Sequence, residues 1–185
     1  MAKIAVIDTE TTWGDEVMSV GVVIADEKDY KPIERRYYVF DPEYRAGGFF
    51  AAQLFKAAKK DTRIMTRKQA LEETEAWLAK SGVKKLFAYN GSFDKNHLEE
   101  LAKYSWYDIM RLAAYKQYNP SIPENADCCK TGKLKRNYGV EPITRMLSGN
   151  PGYCEVHNAL QDALDELNIM CMLKHAIEVY EVAKI

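Results

Sequence analysis

The chain has 185 residues, 47% of them hydrophobic and 29% charged, with a formal net charge of -1. A chain of this length predicts one domain, able to bury roughly 70% of its unfolded surface. The balanced charge excludes a uniformly basic nucleic-acid coat and an acidic tail, but leaves room for a local binding patch.

Nothing approaches the run of about 20 apolar residues that a membrane span requires, so no membrane partner is expected. Met1-Ala2-Lys3 is followed by only four apolar residues before Asp8, which is too few for a secretory signal, and the default expectation is a cytoplasmic protein. In that setting Cys128, Cys129, Cys154 and Cys171 read as free thiols. Cys154 and His157 have a Cys-x-x-His spacing, but no Cys-x-x-Cys accompanies it to complete a structural zinc site.

Taken in order, Ile4-Ala5-Val6-Ile7 is an apolar run of strand type that leads directly into Asp8-Thr9-Glu10-Thr11-Thr12. Residues i and i+2 of a strand share a face, so Asp8 and Glu10 project together. Two such charges repel, and burial deepens the cost unless a proton or a metal cation neutralises them. The alternative is a strand that ends at Ile7, followed by an ordinary solvated turn. Val17 to Ile24 and Glu34 to Phe40 read as the next strands, separated by a turn in which Pro32 bars the ladder. Short connections make the three an antiparallel meander.

Phe49 to Lys60 and Arg67 to Lys80 are expected to be helices. In the second, Leu71, Thr74, Trp77 and Leu78 fall at helical spacing, and Ser81-Gly82 supplies the stop. Lys56 to Lys68 holds six basic residues against Asp61, and reads either as solvated surface or as a phosphate contact. Leu86 to Tyr89 is a short buried-type strand. Asn90-Gly91-Ser92-Phe93-Asp94 then opens a helix expected to reach about Tyr104. Trp106 to Asp108 is another short strand, with Asp108 capping a helix from Ile109 to Tyr118 rather than acting as a catalytic acid. Helices on both sides of the Leu86 strand imply parallel pairing there. Lys130, Lys133, Lys135 and Arg136 form a second basic cluster. Leu134 to Tyr138 and Ile143 to Leu147 are expected as short helices. The last helix is capped by Asn158, with Gln161 as the capping-box partner, and runs to about Ile177.

His157 lies just outside that cap and Asp162 one turn inside. Five residues rotate about 140° around a helix, so the two meet only if His157 sits on the preceding loop.

Asp8-x-Glu10, Asn90-x-x-Phe93-Asp94 and His157-x-x-x-x-Asp162, in that order and with their hydrophobic flanks, resemble the DEDDh family of 3′→5′ exonucleases. The resemblance runs from residue 4 to about residue 175. It implies a ribonuclease-H-like α/β fold: a mixed five-stranded sheet, its first three strands an antiparallel meander, flanked by α-helices. It also implies that Asp8, Glu10, Asp94 and Asp162 hold two divalent ions, Mg2+ or Mn2+, which suit hard carboxylate oxygens. His157 matches the general base, whose unperturbed pKa near 6.5 fits proton abstraction at neutral pH.

Substrate contacts are implied at Thr11, Thr12, Trp13, Asn90 and Phe93. The family commonly has glycine directly after the threonines, where this chain has Trp13, which either stacks on a terminal base or packs on the rim. Phe93 reads as core in preference to a base contact. The implied substrate is the 3′ end of single-stranded nucleic acid. DNA is favoured over RNA because Asp-Thr-Glu-Thr-Thr is closer to the proofreading group, and a DNA polymerase is left open as a partner. The competing expectations are an RNA-directed exoribonuclease and a non-catalytic nucleic-acid or polymerase-binding module.

Overall fold

The computed structural model describes residues 2–56 and 61–185. Strands β1 (Lys3–Thr11), β2 (Val17–Asp26) and β3 (Pro32–Phe40) form the expected antiparallel meander, with Asp8 opposite Gly21 and Val20 opposite Tyr38. Strands β4 (Thr62–Met65), β5 (Lys85–Ala88) and β6 (Ser105–Asp108) complete one sheet in the order β4-β3-β2-β1-β5-β6. β5 lies parallel to β1, and β6 parallel to β5.

Helices cover both faces. Ile4 and Val6 point into one apolar layer with Leu167 and Met170 of α5 (Ala159–Leu173), while Ala5 and Ile7 point into another with Leu71 and Leu78 of α1 (Arg67–Lys80). This two-sided burial explains why β1 reads as a continuous apolar run rather than an alternating one. Thr66 and Gln69 close a capping box that starts α1. Helices α2 (Ser92–His97), α3 (Met110–Ala113) and α4 (Val140–Ser148) are the other α-helices among the described residues. No helix among the described residues is long and apolar enough to cross a membrane.

Several expectations are corrected. Among the described residues the sheet has six strands, not five: β4 adds to β3 in parallel, inside the basic segment that showed no strand pattern. Four residues with two exposed side chains carry too little alternation to reveal a strand, and pairing to β3 supplies the reason for it. The helix expected over Phe49 to Lys60 is a short 3-10 turn at Ala51–Gln53, and 57–60 lie outside the described residues. Here Asn158 Nδ2 donates to the carbonyls of Gln53 and Leu54, at 3.1 and 3.4 Å, the acceptors a continuing helix needs.

The helix from Asp94 ends at His97, with Leu98 off helical geometry and a 3-10 turn at Glu99–Leu101 that still buries Leu98 and Leu101. The one expected to Tyr118 is only α3. Leu134 to Tyr138 is no helix either: Gly132, at φ +87°, turns the chain so that Lys133 and Leu134 bridge back to Tyr115 and Cys128. The last helix stops at Leu173, where Lys174 takes a left-handed conformation, short of Ile177.

Candidate active site

The site lies at the end of β1. Asp8 and Glu10 stand on the strand face that looks toward α5, the face of Ile4 and Val6. A register shift between Glu10 and Thr11 ends the regular ladder with β2. The chain then turns on Thr12, whose hydroxyl accepts the N–H groups of Gly14 and Glu16 at 3.2 and 3.3 Å.

α5 reaches this point because β2 carries glycine opposite Asp8. A Cβ on Gly21 would stand 2.2 Å from the carbonyl oxygen of Ala159. The helix start therefore rests on bare backbone, close beside the strand that carries the acids. Asn158 caps α5, its side chain accepting the N–H of Gln161 at 3.4 Å. Only this half of the expected capping box forms; the Gln161 side chain runs along the helix, where its Nε2 donates to Asp165 at 3.0 Å. Asn158 also donates to the Tyr37 hydroxyl at 3.2 Å, which ties the helix start to β3. His157, just before it, is held at φ +57°, outside the helix as anticipated.

Glu10, His157 and Asp162 offer ligand atoms that all lie within 4.8 Å of one another. Asp94, from α2, is buried and accepts the Thr9 hydroxyl at 2.8 Å. Asp8 sits among these groups. Burial pushes its carboxyl well above the usual range, and the charges of Glu166, Asp94, Asp162 and Glu10 push it further. Burial likewise raises Glu10 to about 7, with Glu155 and Asp94 adding to it. It raises Asp162 to about 8, helped by Glu155 and Glu10. Asp94 rises to about 7 by burial, against the opposing hydrogen bond from Thr9. Burial lowers the pKa of His157, which favours the neutral ring.

Two acids escaped the sequence reading. Glu166 is 1% exposed and accepts the Tyr89 N–H at 3.0 Å, joining α5 to the end of β5. Its signal was present, because Glu166 follows Asp162 by four residues and so shares its helix face. Glu155, raised to about 7 by burial and by Glu141, lies on the loop before His157, where no periodicity marks a residue. Asp108 is not the cap of α3, which is Ile109 with no side-chain cap bond; as the last residue of β6 it accepts the N–H groups of Met110 and Asn90 at 3.0 and 2.9 Å.

The expected substrate contacts separate. Trp13 is 64% exposed and Phe49 81% exposed, with their rings 4.4 Å apart. Phe49 adjoins Phe50, which stacks on the His157 ring at 3.9 Å and 16°. Gly48 permits this: a Cβ there would meet the Thr11 carbonyl oxygen at 2.4 Å. Thr11 is half-buried beside this row, whereas the Thr12 hydroxyl is committed to its own turn. Asn90 is exposed at φ +58°, turning the chain from β5 into α2. Phe93 is not core: it is 38% exposed, with its ring 4.2 Å from that of His97.

Crowded carboxylates with raised pKa values need protons or a cation. Asp162 Oδ1 is buried without a hydrogen-bond partner, as an atom reserved for a ligand would be. The donor set is rich in hard oxygen and fits a divalent cation of the Mg2+ or Mn2+ type.

No family model matches the chain, and no curated protein matches it. Solved structures do. The chain is similar to a 3′-exonuclease described in 3′-end-specific recognition of histone mRNA stem-loop, with TM-score 0.65, 18% identity, and coverage of 93% of this chain and 63% of that one. It is similar to the nuclease domain of 3′hExo, a DEDDh family member, bound to rAMP, with TM-score 0.63, 16% identity, and coverage of 91% and 90%. It is also similar to E. coli exonuclease I in complex with a dA16 oligonucleotide, with TM-score 0.66, 14% identity, and coverage of 98% and 43%. The fold is that of these 3′-exonucleases. The ribonuclease-H-like expectation holds, with one strand more than foreseen. The chain spans 63% of the first of these proteins and 43% of exonuclease I, so it matches their nuclease fold and not their whole length.

Proposed function

We propose that the chain is one exonuclease domain that hydrolyses phosphodiester bonds at the 3′ end of single-stranded nucleic acid, DNA in preference to RNA, releasing nucleoside 5′-monophosphates. The observation that carries this is the convergence of Glu10, His157 and Asp162 within 4.8 Å, at the strand end that also bears Asp8. Asp8, Glu10, Asp94 and Asp162 would hold two divalent cations, Mg2+ or Mn2+. Bound there, such cations neutralise the clustered carboxylates and stabilise charge on the attacking and leaving oxygens.

His157 accepts the proton of the attacking water at an imidazole nitrogen. Its lowered pKa keeps the ring neutral, and so able to accept, at physiological pH. Phe50 holds the plane of that ring by stacking, and the next residue, Asn158, is anchored through its side chain to the Tyr37 hydroxyl. The row Trp13, Phe49, Phe50 gives terminal bases apolar surface beside the reacting phosphate, which supports a single-stranded substrate. The oligonucleotide and rAMP named with the similar structures support the same substrate class. A DNA polymerase partner has no such support and is not part of the proposal.

The test uses 5′-labelled DNA and RNA oligonucleotides with Mg2+ or Mn2+, beside an Asp8→Ala control. A stepwise ladder, faster on DNA and lost in the variant, is expected. Faster RNA cleavage would move the assignment to an exoribonuclease. If neither polymer is cut with either metal, the non-catalytic binding module replaces it.

A further inference from the structure

The carboxylates that prepare this site for cations also repel the polyanion that must enter it. Cations beside the mouth are needed to hold the strand, and most candidates are already engaged. Arg35 pairs with Asp61 at 2.9 Å, Arg67 with Glu100 at 2.9 Å and Arg145 with Glu141 at 2.8 Å; Arg63 pairs with Glu73. Within the basic segment Lys56 to Lys68, Arg63 and Arg67 are thereby neutralised, and Lys68 lies 4.0 Å from Glu72.

The second basic cluster differs. Lys135 is taken by Asp127 at 2.8 Å, but Lys130, Lys133 and Arg136 form no ion pair among the described residues. Instead Lys133 Nζ stands 4.5 Å from the centroid of the Tyr138 ring, and that ring is 41% exposed. The hairpin turn at Gly132 creates the arrangement by folding Lys133 back toward Tyr115.

Both walls of the site anchor this loop. The Tyr89 hydroxyl donates to the Tyr138 carbonyl, while the Tyr89 N–H donates to Glu166 inside the acid cluster. Three residues beyond Tyr138, the Glu141 carboxylate accepts the N–H of Glu155 at 3.0 Å, on the loop that carries His157. A cation against an exposed aromatic ring combines the two contacts a single strand offers, phosphate and base face.

We propose that Lys130, Lys133, Arg136 and Tyr138 form a strand-holding surface, which binds the phosphates and one base of the nucleic acid upstream of its 3′ end. It rests on the exonuclease reading of the carboxylate site. The short path from Tyr138 through Tyr89 to Glu166 keeps loop and site in fixed relation, so a long oligonucleotide touches both and a very short one only the site.

The test measures binding of phosphorothioate oligonucleotides of three and twelve residues, by fluorescence anisotropy across a salt series, with Ca2+ present. The wild type is expected to bind the longer one more tightly. In the Lys130→Gln, Lys133→Gln, Arg136→Gln variant that advantage is lost, and the salt slope for the longer strand falls by roughly 2, at about 0.7 per lost phosphate contact. Tyr138→Ala weakens the longer strand about tenfold, and Tyr138→Trp restores it, which a merely structural role for the tyrosine would not do. Lys28→Gln, on the turn at the opposite end of the sheet, leaves the length dependence as it was. An unchanged slope and length dependence in the triple variant overturns this inference alone. A wild type that binds neither oligonucleotide and cuts nothing overturns the exonuclease reading beneath it.

Discussion

Asp162→Asn removes one charge from the acid cluster and keeps nearly the same shape. In the fold the Asp162 carboxyl is raised from 3.8 to about 8. The folded state therefore binds more protons than the unfolded chain between those values. The associated stability is fully present below the unfolded pKa and is lost as pH rises toward 8. At about 1.36 kcal/mol per unit, keeping Asp162 ionised at pH 8 costs the metal-free fold roughly 5 kcal/mol at most. Burial is the main cause, with repulsion from Glu155 and Glu10 added, and those neighbours titrate too, so removing one charge is expected to return roughly 2 kcal/mol. For a chain of this size that is about 4–8 °C in Tm.

Scanning calorimetry in chelator at pH 8 should show the variant melting above the wild type, with the difference vanishing near pH 4. Millimolar Mg2+ or Mn2+ should reverse the ranking, stabilising the wild type strongly and the variant little. A variant no more stable than the wild type in chelator at pH 8, or one with an undiminished metal shift, would refute the electrostatic account.

Other expectations concern single parts of the site. His157→Ala should lower kcat about 10²–10⁴-fold while leaving the metal-induced rise in Tm largely intact, and a full rate across neutral pH would show that the ring is not the base. Gly21→Ala places a methyl where the Ala159 carbonyl stands, so urea unfolding should report a loss of roughly 1–3 kcal/mol, with activity falling as α5 shifts. Trp13→Ala and Phe49→Ala should each weaken oligonucleotide binding by about 1–3 kcal/mol, with little change in Tm because both rings are exposed. Titration of each variant against a labelled single strand checks this, and unchanged affinity would place the aromatic row outside the substrate path.

Much of the site was legible because its signals are local. Asp8 and Glu10 follow from a strand period of two, and Asn158 from cap chemistry. The placement of His157 outside the helix follows from the cap. Glu166 was readable by the same periodicity, yet a lone acid one turn further along a helix looks like ordinary surface until its burial is known. Phe93 shows the opposite error: an aromatic between polar residues reads as core, and the structure leaves it exposed beside His97. Phe49 and Phe50 were hidden in a segment that looked helical, because Asn158, more than a hundred residues away in sequence, takes the carbonyls a helix would need.

By itself the sequence determined the meander, the apolar run of β1, and three motifs that each bring an acid to an element's end. Those depend on spacing along one strand or one helix turn. Tertiary structure alone decided that these ends meet. Gly21 lets α5 approach β2 closely enough for His157 and Asp162 to reach Glu10. It also decided which cations stay unpaired, since a basic residue is free or neutralised according to the acid that packing places beside it. Spacing reports the face a side chain points from; only packing reports what it meets there.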